Sequence, residues 1–283
     1  MYQLIAENTK GEQLVLSNVN EYVITNIIGL DPPDSTVNVS ERAGHDGATF
    51  NSAKVDMRTI TITIAINSPA EVNRNKLYRF FQTSKRTRLY YFNELHQVYI
   101  DGWAQRAPVD FFAKKETMQI TLVCPSPFWH GIAPVVGVTN GEESLFEFPF
   151  FINEGQPIPL SEYHSDNGAY IWNPGTMLSG LLIEIKATGS ASNPQIWHAN
   201  TDTFFKVNTS LQNGDRLVIN TNVDEKAVTR FRGSSKTNLI ASRDSESSWI
   251  NAEAGNNVFV LSASSGLSNL VANITIITNL EGV

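Results

Sequence analysis

Residues 58–66 read RTITITIAI, with Ile60, Ile62, Ile64 and Ile66 at every second position and Thr59, Thr61 and Thr63 between them. Side chains alternate between the two faces of a strand, so this pattern buries one face and leaves the other polar. The β-branched residues that fill it are stiff at χ1 and suit a pleated surface better than a helix. A chain built this way has to form sheets. The same period returns in ETMQITLVC (116–124), which puts Met118, Ile120, Leu122 and Cys124 on one face. RLYYF (88–92) and QVYIDGW (97–103) flank a short polar NELH and read as a hairpin.

One helix interrupts the strands. Ser68, Pro69 and Glu71 form a capping-box pattern with proline at the first helical position, and Leu77, Phe80 and Phe81 give an apolar patch at helical spacing. These signals predict a helix over 69–83. Before it, residues 31–56 (DPPDSTVNVSERAGHDGATFNSAKVD) are long, polar and read as strand-poor. An irregular segment of that length is usually functional or disordered, and this one can pair with a neighbouring subunit's edge.

After Pro134 the texture changes. Residues 132–180 are richer in Gly, Pro and Asn, and from SGLLIEIKAT (179–188) short strands recur at intervals of about ten residues. Asn213-Gly214 marks a tight turn among them. Many short strands without helices between them predict an antiparallel β-sandwich or jelly roll. The fold class is therefore mainly β: a β-rich domain with one helix over 1–133, then a sandwich over 134–283.

Charge supports that division. Residues 1–133 carry 13 Lys+Arg against 13 Asp+Glu, and residues 134–283 carry 8 against 15. The acidic second half repels phosphate and argues against nonspecific nucleic-acid binding there. Apolar residues at 41% and charged residues at 17% are globular values that can fill two cores. The single cysteine rules out an intrachain disulfide, which suits folding in a reducing cytoplasm. The first residues have no basic segment followed by an apolar one, and no apolar run has membrane-spanning length, so neither a signal peptide nor membrane insertion is expected.

Few residues carry a chemical signature. Cys124 and His130, in CPSPFWHG, invite comparison with a nucleophile and its base, but Cys124 is in phase with Ile120 and Leu122. That phase reads it as a small buried residue at a strand end, with Pro125 and Pro127 stopping the strand and Phe128 and Trp129 capping the core. His45, His96, His130, His164 and His198 fall in five separate segments without metal-ligand spacing and read as surface or loop residues, so no metal is expected. No phosphate-binding loop, dinucleotide fingerprint or nucleophile elbow occurs, and neither a cofactor nor a catalytic group is expected. Trp172, Trp197 and Trp249 are either sandwich core or a sugar-stacking surface, with Trp172, beside NPGT, the one placed for carbohydrate contact. The basic residues Arg74, Lys76, Arg79, Lys85, Arg86 and Arg88 form either a solvated or subunit-contacting face or a surface past which DNA moves in a channel.

Several segments, taken in order, resemble the phage distal tail proteins of long non-contractile tails. GLDPPD followed by HDGATFNSAKVDMRTITITIAI resembles the opening of their first domain, and LYRFFQTSKRTRLYYFNELHQVYIDGWAQ its helix, basic turn and aromatic strands. ETMQITLVCPSPFWHG resembles its closing strand, and NPQIW, NGDRLVINT and GNNVFVL resemble more loosely the appended sandwich, galectin-like or carbohydrate-binding-module-like in that family. The resemblance implies a structural protein, not an enzyme. It implies a ring of six copies at the tail tip that joins the tail tube protein to the tip or baseplate and its host-adsorption apparatus. His45, Asp46, Gly47 and Arg58 are then candidates for an inter-subunit contact. The implied partners are other copies, the tail tube protein, the tail-tip protein, and a receptor-binding protein or cell-wall glycan. The implied location is the virion tail tip, after synthesis in the host cytoplasm. Two rival classes are a carbohydrate-binding module that anchors to the host wall, resting on the tryptophans, and a β-sandwich glycoside hydrolase or esterase, resting only on abundant carboxylates.

Overall fold

The computed structural model describes residues 2–16, 21–111, 115–139, 142–144, 161–163, 167–223 and 225–283. His164 lies outside the described residues. The chain divides into two compact units, one of residues 1–133 with 279–283 and one of residues 134–278. The last five residues thus belong to the first unit and not to the second domain in which the sequence reading placed them.

In the first unit the strands are β1 (Gln3–Asn8), β2 (Gln13–Leu16), β3 (Tyr22–Ile28), β4 (Ser35–Glu41), β5 (Ala48–Val55), β6 (Arg58–Ile66), β7 (Arg86–Phe92), β8 (Gln97–Arg106), β9 (Val109–Asp110), β10 (Thr117–Cys124) and β11 (Trp129–Gly131), with helix α1 (Ala70–Phe80) between β6 and β7. The main sheet runs β2-β1-β7-β8-β10-β6-β3. Its pairings are antiparallel. The period-2 pattern orients it: Ile60, Ile62, Ile64 and Ile66 on β6 and Met118, Ile120, Leu122 and Cys124 on β10 are all buried in one cluster with Leu77, Phe81 and Trp129. Burying eight such side chains on two paired strands contributes about 1.5–3 kcal/mol for each large one, before chain entropy is charged against it.

Two local expectations need correction. Helix α1 is shorter than 69–83. Pro69 is extended (φ −82°, ψ 109°) and serves as the N-cap, with no side-chain cap bond, and its carbonyl accepts the first helical bond from Asn73 N–H at 3.1 Å. Ser68 therefore lies outside the helix, joined to Pro69 by a cis peptide, and the capping box does not form. At the other end Phe81 leaves helical geometry to keep its ring in the core.

Residues 31–56 are not strand-poor. They form the hairpin β4–β5, paired from Ser35↔Val55 to Glu41↔Ala48 with a bulge after Asn38. Its side chains are polar on one face and exposed on both, so the alternation that identifies a half-buried strand is weak there.

In CPSPFWHG the prolines end β10 at Cys124, as expected, and β11 follows them. Both β10 and β11 pair with the same strand, β10 through Val123↔Trp103 and β11 through His130↔Tyr99. Residues 125–128 are a detour along one edge of β8, after which the ladder resumes. The strand β27 (Asn279–Leu280) then adds to β11 through Trp129↔Leu280.

The second unit contains β12 (Val135–Thr139), β13 (Glu142–Ser144), β14 (Ser161–Tyr163), β15 (Gly168–Asn173), β16 (Ser179–Ala187), β17 (Ala191–Ser192), β18 (Gln195–His198), β19 (Thr203–Lys206), β20 (Ser210–Leu211), β21 (Arg216–Asn220), β22 (Ala227–Arg232), β23 (Ser235–Asn238), β24 (Asn251–Ala252), β25 (Gly255–Ser262) and β26 (Leu270–Ile276). Its two main sheets run β12-β26-β16-β21-β22-β23 and β15-β25-β18-β19. Alternate residues from both fill a single core, among them Leu181, Ile183 and Ile185, Phe205, Phe259 and Ile274. This is the antiparallel sandwich expected from the strand spacing. At the Asn213-Gly214 turn, Gly214 takes φ +85° and Asp215 N–H reaches Gln212 O at 2.9 Å.

Candidate assembly interface

The hairpin β4–β5 is the most exposed part of the described chain. Every residue of both strands is exposed except Val55, which is half-buried. Directly opposed residues of an antiparallel pair project to the same side. The pairs Ser35↔Val55, Val37↔Ala53 and Val39↔Phe50 therefore line one face with Val37, Val39, Phe50, Ala53 and Val55. Val37 and Val39 are each 53% exposed and Phe50 64%. An isolated two-stranded hairpin is marginal in water, and a contiguous exposed apolar stripe on one marks a contact surface. The polar face is stitched by Asn38 Nδ2 to Ser52 Oγ (3.0 Å) and Asn51 Nδ2 to Ser40 Oγ (2.6 Å).

His45, Asp46 and Gly47 sit together at the tip, all exposed, where Gly44 (φ +79°) and Gly47 (φ +84°) supply the positive backbone angles of the turn. Arg58 does not accompany them. It is 3% exposed at the start of β6, where the returning leg of the hairpin joins the sheet. Its NH1 donates to the carbonyls of Gly29 (2.6 Å) and Asp31 (2.5 Å) on the outgoing leg, its Nε to Pro127 O (2.7 Å), and its NH2 to Glu281 O. Pro127 O is a carbonyl that the detour removes from the ladder, and the guanidinium satisfies it. Burial opposes the Arg58 charge and lowers its pKa, while the carboxylates of Asp31 and Glu281 favour it. The sequence held a signal for this: Arg58 is in phase with Ile60, Ile62, Ile64 and Ile66, which places it on the buried face.

The basic stretch is largely neutralised within the unit. Arg74 pairs with Glu116 at 2.8 Å and lies over the Phe111 ring; Lys76 faces Glu21 at 3.6 Å. Arg88 makes a two-point contact with Asp101 (2.9 and 2.8 Å) that raises its pKa, and Arg86 lies 3.7 Å from the same carboxylate. Arg79 and Lys85 are exposed and without an ion pair among the described residues. The six cations thus do not form one free basic surface.

In the second unit Trp172 is 59% exposed on the outer face of β15, two residues from Tyr170 at 69%. Its ring lies over Gly255, where an added Cβ would stand 3.7 Å away. Trp197, 36% exposed, projects from the same sheet and donates its indole N–H to Asp202 at 3.1 Å. Trp249 packs against the core beside Phe205.

The remaining candidates are structural. Cys124 is fully buried, and burial pushes its thiol up to about 12, which leaves no thiolate near neutral pH. Two histidines are not surface or loop residues. His130 sits in β11 with Nδ1 2.8 Å from Asn279 Oδ1, and His198 is buried in β18, stacked on Phe259 at 4.6 Å. Burial holds both below the usual imidazole range. Among the described residues no three His, Cys, Asp or Glu side chains converge on a metal position, and no helix is long and apolar enough to cross a membrane.

Two family models match the chain. The phage tail protein RIFT-related domain matches residues 9–124, and the siphovirus-type tail component C-terminal domain matches residues 174–272. No curated protein matches it in sequence. Among solved structures, the Dit protein of phage SPP1, described as a paradigm of the hub adsorption apparatus in phages infecting Gram-positive bacteria, aligns over 99% of both chains with a TM-score of 0.69 at 11% identity. Chains of the phage P2 baseplate in its activated conformation align over 100% of both chains at 13% identity, with TM-scores of 0.55 for the form with Ca and 0.54 for the form with Sr. At these identities the likeness is one of fold, and the assignment to a phage tail rests on the two family models.

Proposed function

Because the chain belongs to the siphophage distal tail protein family, a structural component of the phage tail, we propose that six copies close into a ring at the tail tip. The ring joins the tail tube protein to the tip or baseplate proteins, holds the receptor-binding apparatus, and lets DNA pass through its channel. The protein is made in the host cytoplasm and acts by assembly, not catalysis. The observation that carries this reading is the exposed apolar stripe of Val37, Val39, Phe50 and Ala53 on a hairpin without a core of its own. Seated on the next copy, that stripe makes a head-to-tail contact, which closes into a ring when its rotation divides a full turn. His45, Asp46 and Gly47 then reach furthest into the neighbour, and Arg79 and Lys85 are the cations of the basic stretch left to face a channel or a partner.

Light scattering and electron microscopy test this directly. A six-copy mass with ring images is expected, and Phe50→Asp should shift the population to single copies with the fold intact. A strictly monomeric wild-type chain at every concentration and salt, with no ring by microscopy, counts against the proposal.

Tyr170, Trp172 and Trp197 on one outer sheet face favour a second, narrower reading of the C-terminal unit, contact with a cell-wall glycan by ring stacking. Binding on an array of bacterial surface glycans that Trp172→Ala abolishes would support it. Binding unchanged by that substitution, or no binding at all, removes it.

A further inference from the structure

We infer that Arg58 and the C-terminal peptide 279–283 together form the mount that sets the direction in which the β4–β5 hairpin leaves the first unit. The hairpin makes no core of its own, so its orientation can be fixed only where its legs enter the sheet. Both legs meet at Arg58. The outgoing leg, from Gly29 onward, is held through the carbonyls of Gly29 and Asp31, and the returning leg ends at Asp56–Arg58 itself. The legs are closed on each other by Asp56 N–H to Asp34 O (2.9 Å) and Thr36 Oγ1 to Asp56 Oδ2 (2.8 Å).

The C-terminal peptide forms the other side of the clamp. Leu280 pairs with Trp129, and Asn279 holds His130. From that anchorage Glu281 O receives Arg58 NH2, Val283 N–H donates to Leu30 O at 3.2 Å, and Gly282 packs so closely on Pro32 that a Cβ there would lie 2.9 Å from Pro32 Cδ. Residues 30–32 are thus gripped from both sides, by a guanidinium on one and residues 282–283 on the other. A planar donor fork is suited to this, because it directs several N–H groups at fixed angles toward separate carbonyls.

The mount stands on these contacts alone. Its consequence, that residues 281–283 are needed for ring closure, rests on the ring proposal. The experiment keeps the two apart. Spin labels on Asp46→Cys at the tip and Leu95→Cys on the β7–β8 loop report arm direction within one chain, and the buried Cys124 does not take label. Labelled chains diluted in excess unlabelled protein give intramolecular distances whether or not rings form.

One narrow distance distribution is expected for the intact chain. Its width should at least double in Arg58→Met and in a chain ending at Leu280, while far-ultraviolet circular dichroism keeps its strand signature. Should Arg58→Met not fold, the truncated chain, which keeps Arg58 and β27, decides alone. An unchanged distribution in the truncated chain overturns the mount, whatever the oligomeric state. A broadened distribution with ring formation intact keeps the mount and overturns only its role in closure.

Discussion

Gly102 faces Cys124 across the β8–β10 ladder so closely that a Cβ on Gly102 would lie 2.9 Å from the sulfur and 3.1 Å from Leu122 Cβ. The cysteine in CPSPFWHG is thus packed against the one residue type that leaves room for it. Gly102→Ala should cost about 1–3 kcal/mol as overpacking. Cys124→Ala alone should cost about 1–2 kcal/mol as lost burial. The pair in one chain should cost less than the sum, because the smaller side chain at 124 admits the new methyl. Urea denaturation of the four proteins measures the coupling, and strict additivity would contradict the packing account.

The same sulfur should be chemically silent. With its thiol raised from 9.0 to about 12 by burial, Cys124 should resist an aromatic disulfide reagent at pH 8 in the folded protein and react fully in denaturant. A folded-state pKa raised above the unfolded one contributes stability that is fully present below the unfolded value. That contribution should decline as pH rises from 9.0 toward about 12, and Cys124→Ala should lack this share of the alkaline slope.

At the Asn213-Gly214 turn, Asp215 is 2% exposed and receives Arg232 through Nε (2.8 Å) and NH2 (2.5 Å). Arg232 first, and the Gln212 N–H after burial's opposing effect, hold its carboxyl below the ordinary value. A depressed folded-state pKa stabilises above the unfolded value and loses that stabilisation as pH falls below it. Arg232→Ala leaves a buried carboxylate without its partner, so its urea midpoint should fall clearly at pH 7. The deficit should shrink below pH 3.8, where the unfolded carboxyl protonates; a deficit independent of pH would point to lost packing instead.

His198 should tie the second unit to acid. Its ring is stacked on Phe259, and burial disfavours the charged form. Stability from this depressed group is present above pH 6.5 and declines as pH falls below it. His198→Phe, which keeps an aromatic ring against Phe259, should flatten the decline between pH 7 and 5 in denaturation followed by tryptophan fluorescence. An unaltered acid slope would place the titration elsewhere.

Where the alternation was strong, the strands could be read from the chain. RTITITIAI and TMQITLVC needed no partner to declare their inner faces, because a period of two admits one way of burying isoleucines. The sandwich strands from Ser179 onward were legible for the same reason, and turn residues such as Gly214 marked their ends. The arm escaped because its strands bury nothing in their own chain. Pairing without burial leaves no hydrophobic period, so β4 and β5 look like loop until the backbone is seen.

The residues themselves therefore determined the β class, the phase of Cys124 and the absence of any recognisable catalytic spacing, since each follows from local order. The tertiary structure decided what depends on distant segments. Arg58 reaches carbonyls 27, 29, 69 and 223 positions away, and no local pattern reports that meeting. The basic stretch likewise lost most of its free charge only when Asp101, Glu116 and Glu21 were folded against it. Burial phase is a property of a strand and can be read along it, whereas a buried cation's partners are properties of the assembled sheet.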